Sequence, residues 1–257
     1  MSSTPDALIY FLAGTLRGWR GAMVLDRKGP KPERMLKLYD IEASPYCRMV
    51  REVLTELDLE VLILPCPKGG RRFRQEAEAI GGKQQFPLLI DDNTNTILYE
   101  SSDISNYLIK TYASKPERFK RLPRKLDLAS LFVGSALMYR FGGITGLAAK
   151  TSKMPQKPLI LYSFESSPYS KPVRARLCEL ELPYILRNTG KGKTTDLGPP
   201  LFRDKLFKGP KGTTPTRAWL EENTGKVQVP YLIDENTGVA MYESQDILKY
   251  LDLTYGS

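Results

Sequence analysis

The chain has 257 residues, 41% of them apolar and 26% charged, a composition that suits a globular protein of one large or two modest domains. Its 38 Lys and Arg against 29 Asp and Glu give a formal charge of +9, which suits an anionic ligand or an anionic membrane surface; no zinc-finger spacing or RNA-binding signature accompanies the charge, so nucleic acid is not expected as a partner. There is no histidine, which excludes Ser-His-Asp and Cys-His catalysis, and Cys47, Cys66 and Cys178 are too few and scattered for a disulfide framework or a metal site.

In chain order, residues 1–34 read as an arm with an apolar helix near 7–21. A basic leader is missing and Arg17 and Arg20 interrupt the run, so neither a secretory signal nor a membrane span is expected. Residues 35–114 read as strand 36–39, helix 45–57, strand 61–64, short helix 72–80, strands 88–90 and 97–99, and helix 102–112. In the first of these helices Val50, Val53, Leu54 and Leu57 fall on one face, which leaves Arg48, Arg51, Glu52 and Glu56 for solvent. Residues 115–157 form a basic, Pro-punctuated linker with a second apolar helix near 126–146. The same order of elements then returns over 158–257, with a basic, Gly- and Pro-rich loop inserted at 190–212.

The two units are copies. Ser44 and Ser167, Val50 and Val173, Arg51 and Arg174, Leu54 and Leu177 all stand 123 positions apart. Phe86-Pro87-Leu88-Leu89-Ile90-Asp91 returns as Val229-Pro230-Tyr231-Leu232-Ile233-Asp234, and Tyr99-Glu100-Ser101 as Tyr242-Glu243-Ser244, both after 143 positions. A loop absorbs the difference at small entropic cost. The expected architecture is two βαβ-αββα units, related by pseudo-symmetry, each with its own sheet.

Within each copy a strand leads into Ser-Pro-Tyr, Ser44-Pro45-Tyr46-Cys47 in the first and Ser167-Pro168-Tyr169-Ser170 in the second, and a helix follows at once. Proline is suited to a first helical turn, and the helix terminus stabilises a nearby anion by ~0.3–1 kcal/mol. A strand, S-P-Y, an amphipathic helix, X-Pro at a strand start and Glu-Ser before the last helix together resemble the glutathione-binding N-terminal domain of glutathione transferases, a thioredoxin-like fold shared with glutaredoxins. The resemblance covers about 180 of the 257 residues. It implies an α/β protein of two tandem thioredoxin-like domains, 35–114 and 158–257, each preceded by an apolar helical segment and without the full helical C-terminal domain of that family.

The resemblance also implies roles. Glutathione is the expected ligand. Cis peptides are implied at Pro87 and Pro230, with the backbone of Phe86 and Val229 pairing with the cysteinyl part of glutathione, and Tyr46 and Tyr169 beside it. Glu100-Ser101 and Glu243-Ser244 would hold the γ-glutamyl end, each Ser also capping its helix, while Arg71, Arg72, Lys83 and Lys226 are candidates for the glycyl carboxylate. Ser44 and Ser167 occupy the place of the nucleophilic cysteine of glutaredoxins, which excludes ordinary thiol-disulfide exchange there and assigns the hydroxyl to hydrogen-bonding the glutathione sulfur. Tyr39 and Tyr162 fall one position early for the tyrosine of related transferases, on the opposite side of the strand.

Cys47, in the first helical turn, is the candidate auxiliary thiol. The implied activity is attack of the glutathione thiolate on a small electrophile or a glutathionylated substrate in a reducing, cytoplasmic compartment, concentrated in the first copy. The alternative is a non-catalytic tandem binding module, with peripheral membrane contact through the apolar helices as a less favoured partner.

Overall fold

The computed structural model describes residues 20–119, 145–193, 196 and 211–256. The apolar helices expected near 7–21 and 126–146, but for their last two residues, and most of the 190–212 loop lie outside them. The first half contains β1 (Leu36–Asp40), α1 (Pro45–Glu56), β2 (Val61–Pro65), α2 (Arg74–Gly81), β3 (Leu88–Asp91), β4 (Thr96–Tyr99) and α3 (Ser101–Tyr112). The second repeats the order with β5 (Leu159–Ser163), α4 (Ser170–Glu179), β6 (Tyr184–Asn188), α5 (Pro215–Thr224), β7 (Tyr231–Asp234), β8 (Val239–Tyr242) and α6 (Ser244–Tyr255).

The expectation of two separate sheets does not hold. The eight strands of the described residues form one mixed sheet in the order β4-β3-β1-β2-β6-β5-β7-β8, which reads the same from either edge. Within each half the outer strands pair antiparallel and the inner pair, β1 with β2 and β5 with β6, runs parallel. The halves join where β2 meets β6 antiparallel, Val61 opposite Leu186 and Ile63 opposite Tyr184. Taken alone, either half would leave this strand as an apolar edge with a row of unpaired N–H and C=O groups, and pairing the two edges satisfies both.

On one face of the sheet α1, α3, α4 and α6 bury a single core drawn from both halves, with Val50 and Leu54 of α1, Leu57 capping its end, and Leu177 and Leu180 from the end of α4 in one cluster. Burial of each such side chain is worth about 1.5–3 kcal/mol. The other face carries two separate clusters, Phe73 and Ala77 beside Tyr39, Leu64 and Leu88, and Leu220 beside Tyr162 and Tyr231. Even small details recur. Asp91 accepts from the hydroxyls of Tyr107 (2.6 Å) and Tyr112 (2.5 Å), and Asp234 from those of Tyr250 (2.6 Å) and Tyr255 (2.5 Å).

The polar face of α1 is a second correction. Arg48, Arg51, Glu52 and Glu56, expected in solvent, are all buried, Arg51 at 0% exposure and Glu52 at 1%. Periodicity assigned them correctly to the side away from their own half's core. The second half and the 20–26 segment cover that side, and the charges are accommodated by pairing, Arg48 with Glu52, Arg51 with Glu165 and Glu56 with Arg20.

Candidate functional site

Strand register brings the predicted elements to one end of the sheet. Tyr39, next to last in β1, lies opposite Leu88, the first residue of β3, and Leu88 lies opposite Tyr99, the last of β4. The loop carrying Ser44, the Phe86–Pro87 bond and Glu100-Ser101 therefore leave the sheet side by side. In the second half Tyr162, Tyr231 and Tyr242 stand in the same relation, grouping Ser167, Val229–Pro230 and Glu243-Ser244. Both X-Pro bonds are cis.

Ser44 is the N-cap of α1, in extended conformation (φ −74°, ψ 125°), with Pro45 in the first turn. Its Oγ accepts from the Cys47 N–H at 3.4 Å, so a lone pair is engaged while the hydroxyl hydrogen remains to be donated. The side chain is half-buried, and Tyr46 beside it is exposed. Ser167 differs: it is 2% exposed, and its Oγ accepts both the Ser170 N–H (3.2 Å) and the Ser170 hydroxyl (3.0 Å). Tyr169 is exposed as Tyr46 is.

Cys47 is fully buried, with Sγ accepting from the Ile41 N–H at 3.4 Å. Burial, aided by the Asp40 carboxylate, pushes its thiol far above the ordinary range, so at neutral pH it is a protonated, enclosed group. Tyr39 is also buried and donates to Glu76 at 2.7 Å on the α2 face.

Glu100 and Glu243 share an uncommon backbone, φ 64° with ψ 116° and φ 69° with ψ 112°. A non-glycine residue held there costs on the order of 1–3 kcal/mol, and such outliers collect at ligand sites. Both are the N-cap residues of their helices, so Ser101 and Ser244 are first helical residues and not the expected caps. Each Glu side chain is exposed, while Ser101 and Ser244 are buried.

Phe86 is half-buried with the Arg74 guanidinium 4.9 Å over its ring. Among the cations proposed for a carboxylate, Arg72 is committed elsewhere, donating to the carbonyls of Leu180 (3.0 Å) and Glu181 (3.1 Å). Lys83 sits 4.6 Å over the Tyr99 ring, and Arg71 and Lys226 are exposed. Two residues escaped the sequence reading. One is Arg74. The other is Gln85, whose amide donates to Glu100 Oε1; the repeat carried the signal, because Gln228 stands 143 positions later, before Val229-Pro230.

The model of the glutathione S-transferase N-terminal domain family matches residues 38–116 and 161–257. Among solved structures, the chain is similar to two of a glutathione transferase of Bombyx mori, one of them a complex with GTT. In both, 24% of residues are identical over 44% of this chain and 50% of that one, with a TM-score of 0.32. It is also similar to a trimeric glutathione transferase of Leishmania, with 15% identity over 86% of this chain and 67% of that one and a TM-score of 0.26. The chain thus matches about half the length of the Bombyx mori protein. No curated protein matches it.

Proposed function

We propose, on the premise that the chain belongs to the glutathione S-transferase N-terminal domain family, that it binds glutathione in the first half and that the Ser44 hydroxyl stabilises the bound thiolate. The carrying observation is the convergence of the half-buried Ser44 hydroxyl, the cis Phe86–Pro87 bond and the Glu100-Ser101 turn at one end of the sheet. In this reading the Phe86 backbone pairs with the cysteinyl part of glutathione. Glu100, held out by its backbone, binds the γ-glutamyl ammonium, and the unpaired amides at the start of α3 face its carboxylate.

With the sulfur beside the N-terminus of α1, a donated hydrogen bond favours thiolate over thiol. The thiolate attacks a small electrophile, forming one carbon–sulfur bond as the leaving group departs with its electron pair. Cys47, enclosed and protonated, takes no part and packs the helix start.

The second half contributes differently. Ser167 is 2% exposed where Ser44 is half-buried, which favours a binding or structural role for residues 158–257 and leaves thiolate chemistry to residues 35–114, with 1–34 as an N-terminal arm and 115–157 as the linker of a tandem arrangement. Three unpaired cysteines suit a reducing, cytoplasmic compartment. Among the described residues no helix is long and apolar enough to cross a membrane. Calorimetric titration with glutathione tests the reading: binding at micromolar to millimolar affinity, about 4–8 kcal/mol, weakened by Glu100→Gln, supports it. No heat at millimolar glutathione would remove it.

A further inference from the structure

The loops that precede the two Ser-Pro-Tyr motifs are tied to each other across the join between the halves. Glu42 lies two residues before Ser44, and Glu165 two residues before Ser167. The Glu42 carboxylate is bound by Arg174 of α4, through Nε (3.2 Å) and Nη2 (3.1 Å). The Glu165 carboxylate is bound in turn by Arg51 of α1, through Nε at 2.9 Å. Each arginine also reaches its own half: Arg51 donates to Asp40 at 2.6 Å and to the Glu42 carbonyl at 3.1 Å, and Arg174 donates to Ser163 Oγ at 2.9 Å and to the Glu165 carbonyl at 2.9 Å and pairs with the Glu165 carboxylate at 3.2 Å. These side chains are 0–2% exposed.

A second, independent set of contacts repeats the exchange in the backbone. The Ala43 N–H, next to Ser44, donates to the carbonyl of Gly146 in the segment leading into the second half (3.3 Å). The Ser166 N–H, next to Ser167, donates to the carbonyl of Gly21 in the segment leading into the first (3.2 Å). Both glycines have positive φ, +75° and +69°, where a side chain is strained; a Cβ on Gly21 would clash with Glu165 Cβ at 2.8 Å, and one on Gly146 would crowd Glu42 Cβ at 3.1 Å. Cys178 of α4 completes the tie to the first half, accepting from the Glu42 N–H (3.5 Å) and donating to the Gly146 carbonyl (3.3 Å).

We propose that each Ser-Pro-Tyr loop is positioned by the opposite half: Arg174 and Gly146 set the loop that carries Ser44, and Arg51 and Gly21 set the one that carries Ser167. The first-half site is then a composite, completed by positioning residues that touch no ligand. Its consequence for glutathione rests on the function proposed above; the positioning itself does not. The physical ground is that a buried carboxylate holds its place only while its charge partners remain; Arg174 makes the closest ion pair to Glu42, with Arg51 Nη2 at 3.3 Å and the Lys171 ammonium as further cations facing it.

Hydrogen exchange read by mass spectrometry on the full chain tests this, with glutathione titration in parallel. Arg174→Gln is expected to accelerate amide exchange over residues 41–47 by about tenfold or more while peptides spanning β3 and β4 keep their protection, which separates local release from global destabilisation. Glutathione binding should weaken by roughly fivefold or more, Arg174→Lys should recover part of both effects, and Arg176→Gln on the same helix should change neither. Should Arg174→Gln fail to fold, Gly146→Ala reads the same loop, and acceleration confined to 41–47 again supports the proposal.

Unchanged exchange at 41–47, or equal acceleration in every peptide, overturns the positioning. Accelerated exchange with unchanged glutathione affinity overturns the composite site. If wild-type protein binds no glutathione while the exchange pattern holds, the positioning stands and the glutathione reading falls.

Discussion

The Ser170 hydroxyl donates to Ser167 Oγ at 3.0 Å, and that one contact separates two motifs that otherwise match. In the first half the same place holds Cys47, whose sulfur accepts from the Ile41 amide, so Ser44 Oγ accepts one hydrogen bond where Ser167 Oγ accepts two, and Ser44 is half-buried where Ser167 is 2% exposed. Alkylation of native protein should therefore leave Cys47 unlabelled. Cys47→Ala should cost about 1–2 kcal/mol of stability through lost packing and change glutathione affinity by less than about threefold, a difference of ~0.6 kcal/mol. Rapid labelling of Cys47, or loss of activity in that variant with its fold retained, would restore it as a reactive thiol.

The buried ion network predicts an asymmetric response to truncation. Arg51→Ala leaves Asp40 and Glu165 without their closest charge partner, and urea unfolding should show a loss of about 3–5 kcal/mol. Lys157→Ala breaks an exposed pair with Glu235 and should cost less than about 1 kcal/mol.

The same network predicts a dependence on pH with two opposed limbs. Burial raises the Asp40 carboxyl to about 6 against the pull of Arg51, with Glu42 adding to the rise. Its folded pKa lies above the unfolded value, so the folded state holds the proton between roughly pH 4 and 6 and this group's contribution grows as the pH falls through that window. Glu165 behaves oppositely: burial would raise it, but Arg174 and Arg51 outweigh burial and hold it at about 2. Its contribution is present above about pH 4.5 and is lost as the pH falls towards 2. The urea midpoint should rise from pH 7 to about pH 5 and then drop below about pH 4; Asp40→Asn should flatten the first limb, by on the order of 1–3 kcal/mol.

The Glu100 turn predicts a division between the halves. Glu100→Gln removes a charge from an exposed carboxylate held by its backbone and by Gln85, and should weaken glutathione binding by about 1–2 kcal/mol. Glu243→Gln should have a smaller effect on the thiolate-forming site. Equal losses in calorimetry would make the halves equivalent in binding.

The order of strands and helices was legible because it rests on local patterns, apolar periodicity and turn residues, while the cis bonds at Pro87 and Pro230 were implied by the family resemblance. The join between β2 and β6 was not, since an apolar strand reads the same whether its edge is free or paired. Nor was the fate of Arg51 and Arg174. A charge on the far side of an amphipathic helix reads as solvated, and only a third body packed on that side buries it. The Glu100 and Glu243 backbones left no trace, because a glutamate does not announce a positive φ. The difference between Ser44 and Ser167 was half visible, as Cys47 against Ser170, but the burial of Ser167 depends on what packs over its loop.

The most direct measurement is the apparent pKa of glutathione bound to the protein, read from thiolate absorbance in wild type, Ser44→Ala and Ser167→Ala. A hydrogen bond from one hydroxyl to a thiolate is worth roughly 1.5–3 kcal/mol, so Ser44→Ala should raise that pKa by about one to two units while Ser167→Ala moves it by less than about half a unit. Equal shifts in the two variants would contradict the division between the halves, and no shift in either would contradict thiolate stabilisation by serine.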